Sequence, residues 1–215
     1  MRQGSFITFE GTEGAGKSTQ IRILEHRLKD SGFDVCSVRE PGGTQAGERI
    51  REILKDPDLK GQLTPEAELF LVSACRAELV RSVIRPALKA GKIVLCDRFF
   101  DSTLAYQGFG RGLDLAQLQA IIGYSVGETR PDLTLFIDIP LDVSLLRRSA
   151  RAQAASGEPT TDRFELSGDG FFTRVENGFR ELAAMAPERI RSIDGQGSQD
   201  EVAALIWDAV VKLRL

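Results

Sequence analysis

The chain has 215 residues, and its hydrophobic fraction of 42% and charged fraction of 27% are ordinary for a globular protein. A net charge of -3 argues against a surface that binds nucleic acid by bulk electrostatics. One histidine and three cysteines disfavour a Ser-His-Asp triad, a histidine-rich metal site and a disulfide framework. No apolar run reaches ~18 residues, so we expect no membrane span and a cytoplasmic protein.

Strands and helices alternate along the chain. In chain order we predict strand 5–9, helix 19–29, strand 34–38, helix 47–54, helix 65–90, strand 92–96, helix 113–126, strand 133–139, helix 141–155, helix 169–185, strand 189–193 and helix 200–213. The strand runs are continuously apolar, which is typical of a sheet covered on both faces. The pattern predicts one α/β domain over residues 1–215 with a doubly wound, parallel sheet.

Two long segments carry specific local signals. Thr64 followed by Pro65 is typical of a capped helix start, and Pro86 predicts a break further along the same helix. Residues 149–167 are rich in small and polar side chains and lack periodicity. We therefore predict that this stretch is a mobile lid.

A glycine-rich stretch after the first strand fits the phosphate-binding pattern G-x-x-x-x-G-K-[ST]. Its residues, predicted to bind ATP together with the following Thr19, are Gly11, Thr12, Glu13, Gly14, Ala15, Gly16, Lys17 and Ser18. The strand before it and the helix after it support the motif. The glycines allow backbone N–H groups to turn towards a phosphate at a helix N-terminus. We predict that Lys17 reaches the β- and γ-phosphates and that Ser18 binds Mg²⁺.

Two features separate the chain from other phosphate-loop classes. The Asn-Lys-x-Asp motif that reads guanine is impossible, because the only asparagine is Asn177 and glycine follows it. The strand 92–96 leads into Asp97-Arg98, where a motor ATPase would show Asp-Glu. Asp97 suits a site near the metal, and Arg98 suits a second phosphate. A cation aimed at an acceptor phosphate favours a monophosphate kinase over a hydrolase.

Four further segments, taken with the phosphate loop, resemble the bacterial thymidylate kinase family. They are Arg39-Glu40-Pro41-Gly42-Gly43-Thr44, Ala74-Cys75-Arg76, Asp97-Arg98-Phe99 and Ser102-Thr103-Leu104-Ala105-Tyr106-Gln107-Gly108. The resemblance covers nearly the whole chain, with the motifs in family order. It implies a P-loop kinase fold with a five-stranded parallel sheet flanked by helices on both faces. It also implies a homodimer that phosphorylates dTMP with ATP and Mg²⁺. The net charge and the lack of a long apolar run predict no nucleic-acid or membrane partner.

The resemblance implies roles for residues around the two phosphates. Arg39 and Arg98 are similar to the pair that clamps the dTMP phosphate. We expect Lys17, Asp97 and Arg98 to be catalytic. Asp97 is similar to the carboxylate that associates with the metal or orients the acceptor. Glu13 resembles the carboxylate that accepts a hydrogen bond from the deoxyribose 3′-OH.

The resemblance also implies contacts to the base and the sugar. Arg76 is similar to the arginine that donates to thymine O4, and such a donor would oppose the amino group of cytosine. Thr103 and Gln107 fall where side chains contact the pyrimidine edge or the nearby phosphate network. Tyr106 is placed like the tyrosine that crowds C2′ and disfavours ribose. Pro41 follows Glu40 in a bond that is often cis in the family.

The chain departs from the family pattern at the expected base-stacking position. The family usually has phenylalanine four residues before the base-reading arginine, and Val72 stands there. Phe70 is close in sequence but lies on another helix face. We expect Val72 to pack on the thymine ring, or Phe100 or Phe109 to replace the missing aromatic.

The charge-neutralising arginine is expected to come from the lid, because Gly14-Ala15 follow Glu13 in the phosphate loop. Arg148, Arg151 and Arg163 are available, and we predict Arg151 and Arg163 as catalytic without ranking them. Such an arginine can be worth ~10³–10⁵ in rate.

Other interpretations stay open at the level of the sequence. The chain could be a P-loop kinase that acts on dUMP or on a nucleoside, or an ATP-dependent switch without an acceptor. Arg39 and Glu40 could be a surface ion pair, and Asp138 could be a second metal aspartate. The implied dimer could form through the apolar helix that begins at Pro65.

Overall fold

The computed structural model describes residues 4–154 and 163–213. Within that part of the chain, the strands are β1 Phe6–Glu10, β2 Val35–Arg39, β3 Ile93–Asp97, β4 Leu133–Asp138 and β5 Ile190–Asp194. They form one parallel sheet in the order β2-β3-β1-β4-β5. The prediction of a five-stranded parallel sheet is therefore confirmed.

Helices connect the strands and lie on both faces of the sheet. The α-helices are α1 Lys17–Asp30, α2 Gln45–Lys55, α3 Pro65–Leu79, α4 Arg85–Lys89, α5 Phe100–Thr103, α6 Leu115–Val126, α7 Leu141–Ala154, α8 Asp169–Met185 and α9 Gln199–Val210. π-Helical segments span Val80–Ile84 and Leu104–Gly110, and short 3-10 helices span Pro57–Leu59, Glu165–Ser167 and Val211–Leu213. None of the helices within the described ranges combines the length and the apolar character needed to cross a membrane.

The two faces of the sheet each carry a hydrophobic core, which explains the continuously apolar strands. Successive side chains of a strand point to opposite faces. On β1, Phe6 belongs to the cluster under α3, α6 and α8, while Ile7 belongs to the cluster under α1 and α9. Both side chains are at most 1% exposed. The inner strands β1, β3 and β4 therefore face an apolar layer on each side, whereas the edge strands β2 and β5 are partly exposed.

The long helix begins and breaks close to the predicted places. Thr64 accepts a hydrogen bond from the Ala67 N–H through its side chain, and Pro65 occupies the first turn. The break comes as the π-helical segment Val80–Ile84, after which Pro86 lies in the first turn of α4. The proline lacks an N–H to donate to the preceding turn, and it coincides with the change from α-helical to π-helical bonding over Val80–Ile84. The helical structure over Phe100–Gly110 was not predicted.

Parallel pairing brings the carboxyl ends of the central strands together. Phe9 pairs with Asp97, and Arg39 pairs with Asp97 on the other side. The phosphate loop follows β1, so its first residues lie beside Asp97 and Arg98. One edge of the sheet thus positions groups from three separate parts of the chain.

Candidate functional site

Glycine is required in the phosphate loop because its backbone is left-handed and crowded. Gly11 has φ of 135°, and a Cβ atom there would lie 2.5 Å from the carbonyl oxygen of Ile137. Gly14 has φ of 81°, and its Cβ would lie 3.0 Å from the carbonyl oxygen of Ser144. Ser144 also donates from its hydroxyl to the Glu13 carbonyl at 2.6 Å. The loop is therefore held against the start of α7.

Lys17 is folded into the phosphate loop. Its Nζ donates to the carbonyl oxygens of Gly11 at 3.1 Å and Thr12 at 2.9 Å, and the residue is 7% exposed. Burial, together with the neighbouring Arg98 guanidinium, lowers the pKa of Lys17 to about 8. A bound phosphate would favour the charged form of this amine, so the loop is prepared for an anion.

Ser18 and Asp97 form the oxygen pair expected at a magnesium site. The Ser18 hydroxyl donates to Asp97 Oδ2 at 2.8 Å. Among the described residues no group of three or more His, Cys, Asp or Glu could hold a metal. Mg²⁺ at nucleotide sites typically takes one or two protein ligands and completes its shell with phosphates and water. The Ser18–Asp97 pair fits that chemistry.

Arg98 adopts a backbone conformation that is rare for a side-chain-bearing residue. Its φ is 69°, a left-handed value that costs about 1–3 kcal/mol. Its Nη1 donates to the Ser102 hydroxyl at 3.1 Å, and its guanidinium carbon lies 5.0 Å from the centre of the Tyr106 ring. The strained backbone aims the guanidinium into the cleft next to Lys17.

Glu10, which was not predicted as a site residue, fixes the segment after Asp97. Its Oε1 accepts from the backbone N–H groups of Phe99 at 2.8 Å and Ser102 at 3.2 Å, and its Oε2 accepts from the Ser102 hydroxyl at 2.5 Å. Burial, with the nearby charge of Asp101, raises the pKa of Glu10 to about 7. The signal available in the sequence was an acidic residue at the end of a buried strand, directly before Gly11.

Glu10→Gln is expected to remove a pH-dependent loss of stability. The pKa of Glu10 is raised from 4.5 to about 7, so between these values the folded protein holds a proton that the unfolded chain releases. Stability from this group is present below pH 4.5 and is lost as the pH rises to 7, by on the order of 3 kcal/mol. Urea unfolding of both proteins at pH 5 and pH 8 measures the effect. A difference between variant and wild type that is the same at both pH values would contradict it.

Arg76 is buried, and one of its donors has no protein partner. Its Nε donates to Glu40 Oε2 at 2.9 Å and its Nη2 donates to Thr103 Oγ1 at 2.9 Å. Nη1 has no hydrogen-bond partner among the described residues, although Arg76 is only 2% exposed. Burial raises the pKa of Glu40 to about 7, and Arg76 opposes that rise. The site thus holds a desolvated donor that is aimed at no protein group.

Arg39 and Glu40 do not pair with each other. Arg39 pairs with Glu48 at 2.7 Å in an exposed position, while Glu40 holds Arg76. The Glu40–Pro41 peptide is cis, as the family resemblance implies.

One cleft of about 480 Å³ joins the phosphate loop to the Arg76 pocket. It is lined by Glu13, Gly14, Gly16, Lys17, Ser18, Thr19, Arg39, Glu40, Pro41, Arg51, Lys55, Val72, Arg76, Asp97, Arg98, Phe99, Ser102, Thr103, Tyr106, Gln107, Arg147 and Phe164. All the predicted substrate-binding residues are among them. Arg51 and Lys55, which were not predicted, stand one turn apart on α2 and add positive charge to this wall.

The aromatic substitutes proposed for thymine stacking lie elsewhere. Phe100 is buried in the core, and Phe70, which was expected on another helix face, is 60% exposed. Phe109 packs closely against Gly178 of α8. Val72 lines the cleft, and Phe164, from the end of the predicted lid, lines it as well. Phe164 is therefore the aromatic ring that sequence reasoning missed.

The two predicted lid arginines have different outcomes. Arg163 is 4% exposed and does not line the cleft, because its Nε donates to the Leu54 carbonyl at 3.0 Å and its Nη1 pairs with Glu68 at 2.7 Å. This placement gives no support to a catalytic Arg163. The side chain of Arg151 lies outside the described part of the structure.

Asp138, considered above as a second metal aspartate, is occupied by a different partner. Its two carboxylate oxygens accept from Arg180 Nη2 at 3.0 Å and Nε at 3.1 Å. A forked pair of this kind satisfies both oxygens. The metal interpretation of Asp138 is therefore not supported by its surroundings.

Comparison with known proteins agrees with this geometry. Residues 9–206 match the family model described as Thymidylate kinase. The thymidylate kinase of Deinococcus radiodurans is 48% identical over 211 residues, covering 98% of each chain. That of Syntrophotalea carbinolica is 48% identical over 202 residues, covering 94% of this chain and 93% of the relative. A crystal structure of thymidylate kinase from Ehrlichia chaffeensis is similar with a TM-score of 0.75 and 32% identity, covering 97% of this chain and 99% of that chain. The chain therefore belongs to the thymidylate kinase family.

Proposed function

We infer that this chain is a kinase that transfers the γ-phosphoryl group of ATP to dTMP. The observation that carries the inference is that one cleft contains both the phosphate loop around Lys17 and the buried Arg76 donor that has no partner among the described residues. A nucleotide-dependent switch or hydrolase needs only the first of these features. A desolvated donor beyond the phosphate site is useful when a second nucleotide must be recognised by its base.

The phosphate loop holds the donor nucleotide. Backbone N–H groups at the start of α1 surround the ATP phosphates, and Lys17 neutralises charge on the β- and γ-phosphates. Ser18 and Asp97 would hold Mg²⁺, which would supply further positive charge to stabilise the phosphates of ATP. The Ser18–Asp97 hydrogen bond supports this assignment, because it brings the two oxygen ligands together.

Arginines beyond Asp97 hold the acceptor phosphate. Arg98, with Arg39, binds the phosphate of dTMP, and Glu13 accepts from its 3′-OH. An anionic oxygen of dTMP forms the new bond to the γ-phosphorus as the bond to the bridging oxygen of ADP breaks. No strong base is needed, since the attacking oxygen carries no proton. Catalysis is therefore positioning and charge stabilisation.

The base is selected in the pocket between α3 and the segment Leu104–Gly110. Nη1 of Arg76 donates to O4 of thymine and opposes the amino group of cytosine. Thr103 and Gln107 lie at the same edge, and Val72 packs on the ring. Tyr106 crowds C2′ and so excludes a ribose hydroxyl.

The family resemblance also implies a homodimer and a charge-neutralising arginine supplied by the lid. The enzyme is a homodimer that forms through α3, where Phe70 is 60% exposed. It works in the cytoplasm. Arg151 supplies the charge-neutralising group from the lid.

A coupled ADP-release assay across dTMP, dUMP, dCMP and thymidine tests the function. We expect turnover with dTMP to exceed turnover with each of the others. Turnover on thymidine or dUMP above that on dTMP would point to another small-molecule kinase. Slow ATP hydrolysis without phosphorylation of any acceptor would point to a switch protein.

A further inference from the structure

Two hydrogen bonds join α3 to the helical wall of the base pocket, and they lie two turns apart on α3. Glu68 and Arg76 are eight residues apart, so they share one helix face. Arg76 Nη2 donates to Thr103 Oγ1 at 2.9 Å, and Gln107 Nε2 donates to Glu68 Oε1 at 2.7 Å. Thr103 and Gln107 line the cleft, whereas Glu68 lies behind them and is 1% exposed.

Glu68 is surrounded by donors. Its Oε2 pairs with Arg111 Nη2 at 3.1 Å and with Arg163 Nη1 at 2.7 Å. Its Oε1 accepts from Gln107 Nε2 at 2.7 Å and, at a longer distance of 3.4 Å, from Arg111 Nε. A carboxylate held by two guanidinium groups can only accept hydrogen bonds. Gln107 must therefore turn its NH₂ group towards Glu68 and its Oε1 the other way. Because Gln107 lines the cleft, Oε1 is the polar atom that it presents there.

We propose that Glu68 is a positioning residue that sets base selectivity by locking the Gln107 amide with its oxygen towards the cleft. The proposal rests on the kinase function inferred above. Gln107 then presents an acceptor while Arg76 Nη1 presents a donor. Thymine offers N3–H and O4, which complement this pair. Cytosine offers an N3 acceptor and an amino donor, so it is opposed at both atoms.

Glu68→Gln tests the proposal because it changes hydrogen-bonding chemistry with almost no change in shape. The two short arginine contacts, from Arg163 Nη1 and Arg111 Nη2, go to one oxygen, so the new amide keeps its oxygen there and turns its NH₂ to Gln107. Only the long contact from Arg111 Nε is given up. Gln107 then reverses and presents its own NH₂ to N3–H of thymine. We expect KM for dTMP to rise and the ratio of kcat/KM for dTMP to that for dCMP to fall by about 10- to 100-fold.

Two further variants distinguish a loss of base selectivity from a general loss of activity or stability. Arg111→Gln removes one cation from Glu68 but leaves Gln107 facing an acceptor, so its dTMP-to-dCMP ratio should stay within about 3-fold of wild type. Glu68→Gln combined with Gln107→Glu restores an acceptor at position 107, because the carboxylate accepts from the new amide and presents its second oxygen to the base. This double variant should recover the ratio to within about 10-fold of wild type.

The outcomes are read from the ratio, with folding checked by thermal unfolding. A reduced ratio in Glu68→Gln that the double variant recovers supports the proposal. Equal losses on both substrates with an unchanged ratio overturn it, since a merely structural role predicts that result. If Glu68→Gln does not fold, the double variant decides alone, and loss of its preference for dTMP overturns the proposal. Failure of the wild type to phosphorylate dTMP would instead reject the proposed function.

Discussion

Replacing Lys17 with methionine is expected to lower kcat for phosphoryl transfer to dTMP by at least about 10³-fold. Methionine keeps the length and apolar volume of the side chain but removes the charge that Nζ brings to the β- and γ-phosphates. In the free protein Nζ is held by the carbonyls of Gly11 and Thr12. These carbonyls would face an anionic phosphate without a cation between them. Coupled ADP release at saturating ATP and dTMP measures the loss.

Lys29→Met is the matched control, because it changes the same residue type in the same helix. Lys29 lies in the last turn of α1 and pairs with Glu25 on the surface. It should keep kcat within about 2-fold of wild type, since exposed ion pairs contribute little. Near-normal turnover in Lys17→Met would remove the proposed mechanism.

The phosphate loop was predictable because all the residues that define it are consecutive in the sequence. Backbone conformation, phosphate binding and the start of α1 are all local, so residues 11–19 suffice to identify them. The inner strands β1, β3 and β4 were predictable for a related reason, since a strand buried on both faces is mostly apolar. The edge strands β2 and β5 carry a weaker signal, because they are partly exposed. Only the strand order needed the structure, because pairing depends on how distant segments pack.

Residues that act through distant partners gave no comparable signal. Glu68 and Gln107 are 39 positions apart, and nothing in either neighbourhood predicts their contact. Glu10 gains its role from the Phe99 and Ser102 backbone groups, which only the pairing of β1 with β3 brings within reach. Such contacts depend on strand order and helix packing rather than on a local pattern.

The placement of Arg163 could not be predicted for the same reason, because its partner is distant in the sequence. An arginine next to a predicted lid resembles a catalytic group when only the neighbouring residues in the sequence are considered. Its guanidinium instead meets a buried carboxylate on α3, Glu68, where an unpaired charge would be costly. Whether Arg163 is catalytic or structural thus depends on a partner almost a hundred positions away in the sequence.

Arg98→Gln is expected to lower kcat/KM for dTMP by about 10²–10³-fold while leaving the affinity for ATP within about 3-fold of wild type. The guanidinium is presented by a left-handed backbone with φ of 69°, and it lies over the Tyr106 ring. Glutamine reaches toward the same space but carries no charge and cannot grip a phosphate with two parallel donors. Most of the loss should therefore appear as a rise in KM for dTMP.

Steady-state kinetics with dTMP varied at saturating ATP, together with calorimetric ATP binding, separates Arg98 from Lys17. Arg22→Gln, an exposed position on α1, is the control for loss of one arginine. If Arg98→Gln weakened ATP binding as much as dTMP binding, Arg98 would belong to the donor site. Two facing phosphate sites require that Lys17→Met impairs the ATP side of the reaction and that Arg98→Gln impairs the binding of dTMP. One cation then serves the nucleotide that gives the phosphoryl group, and the other serves the nucleotide that receives it.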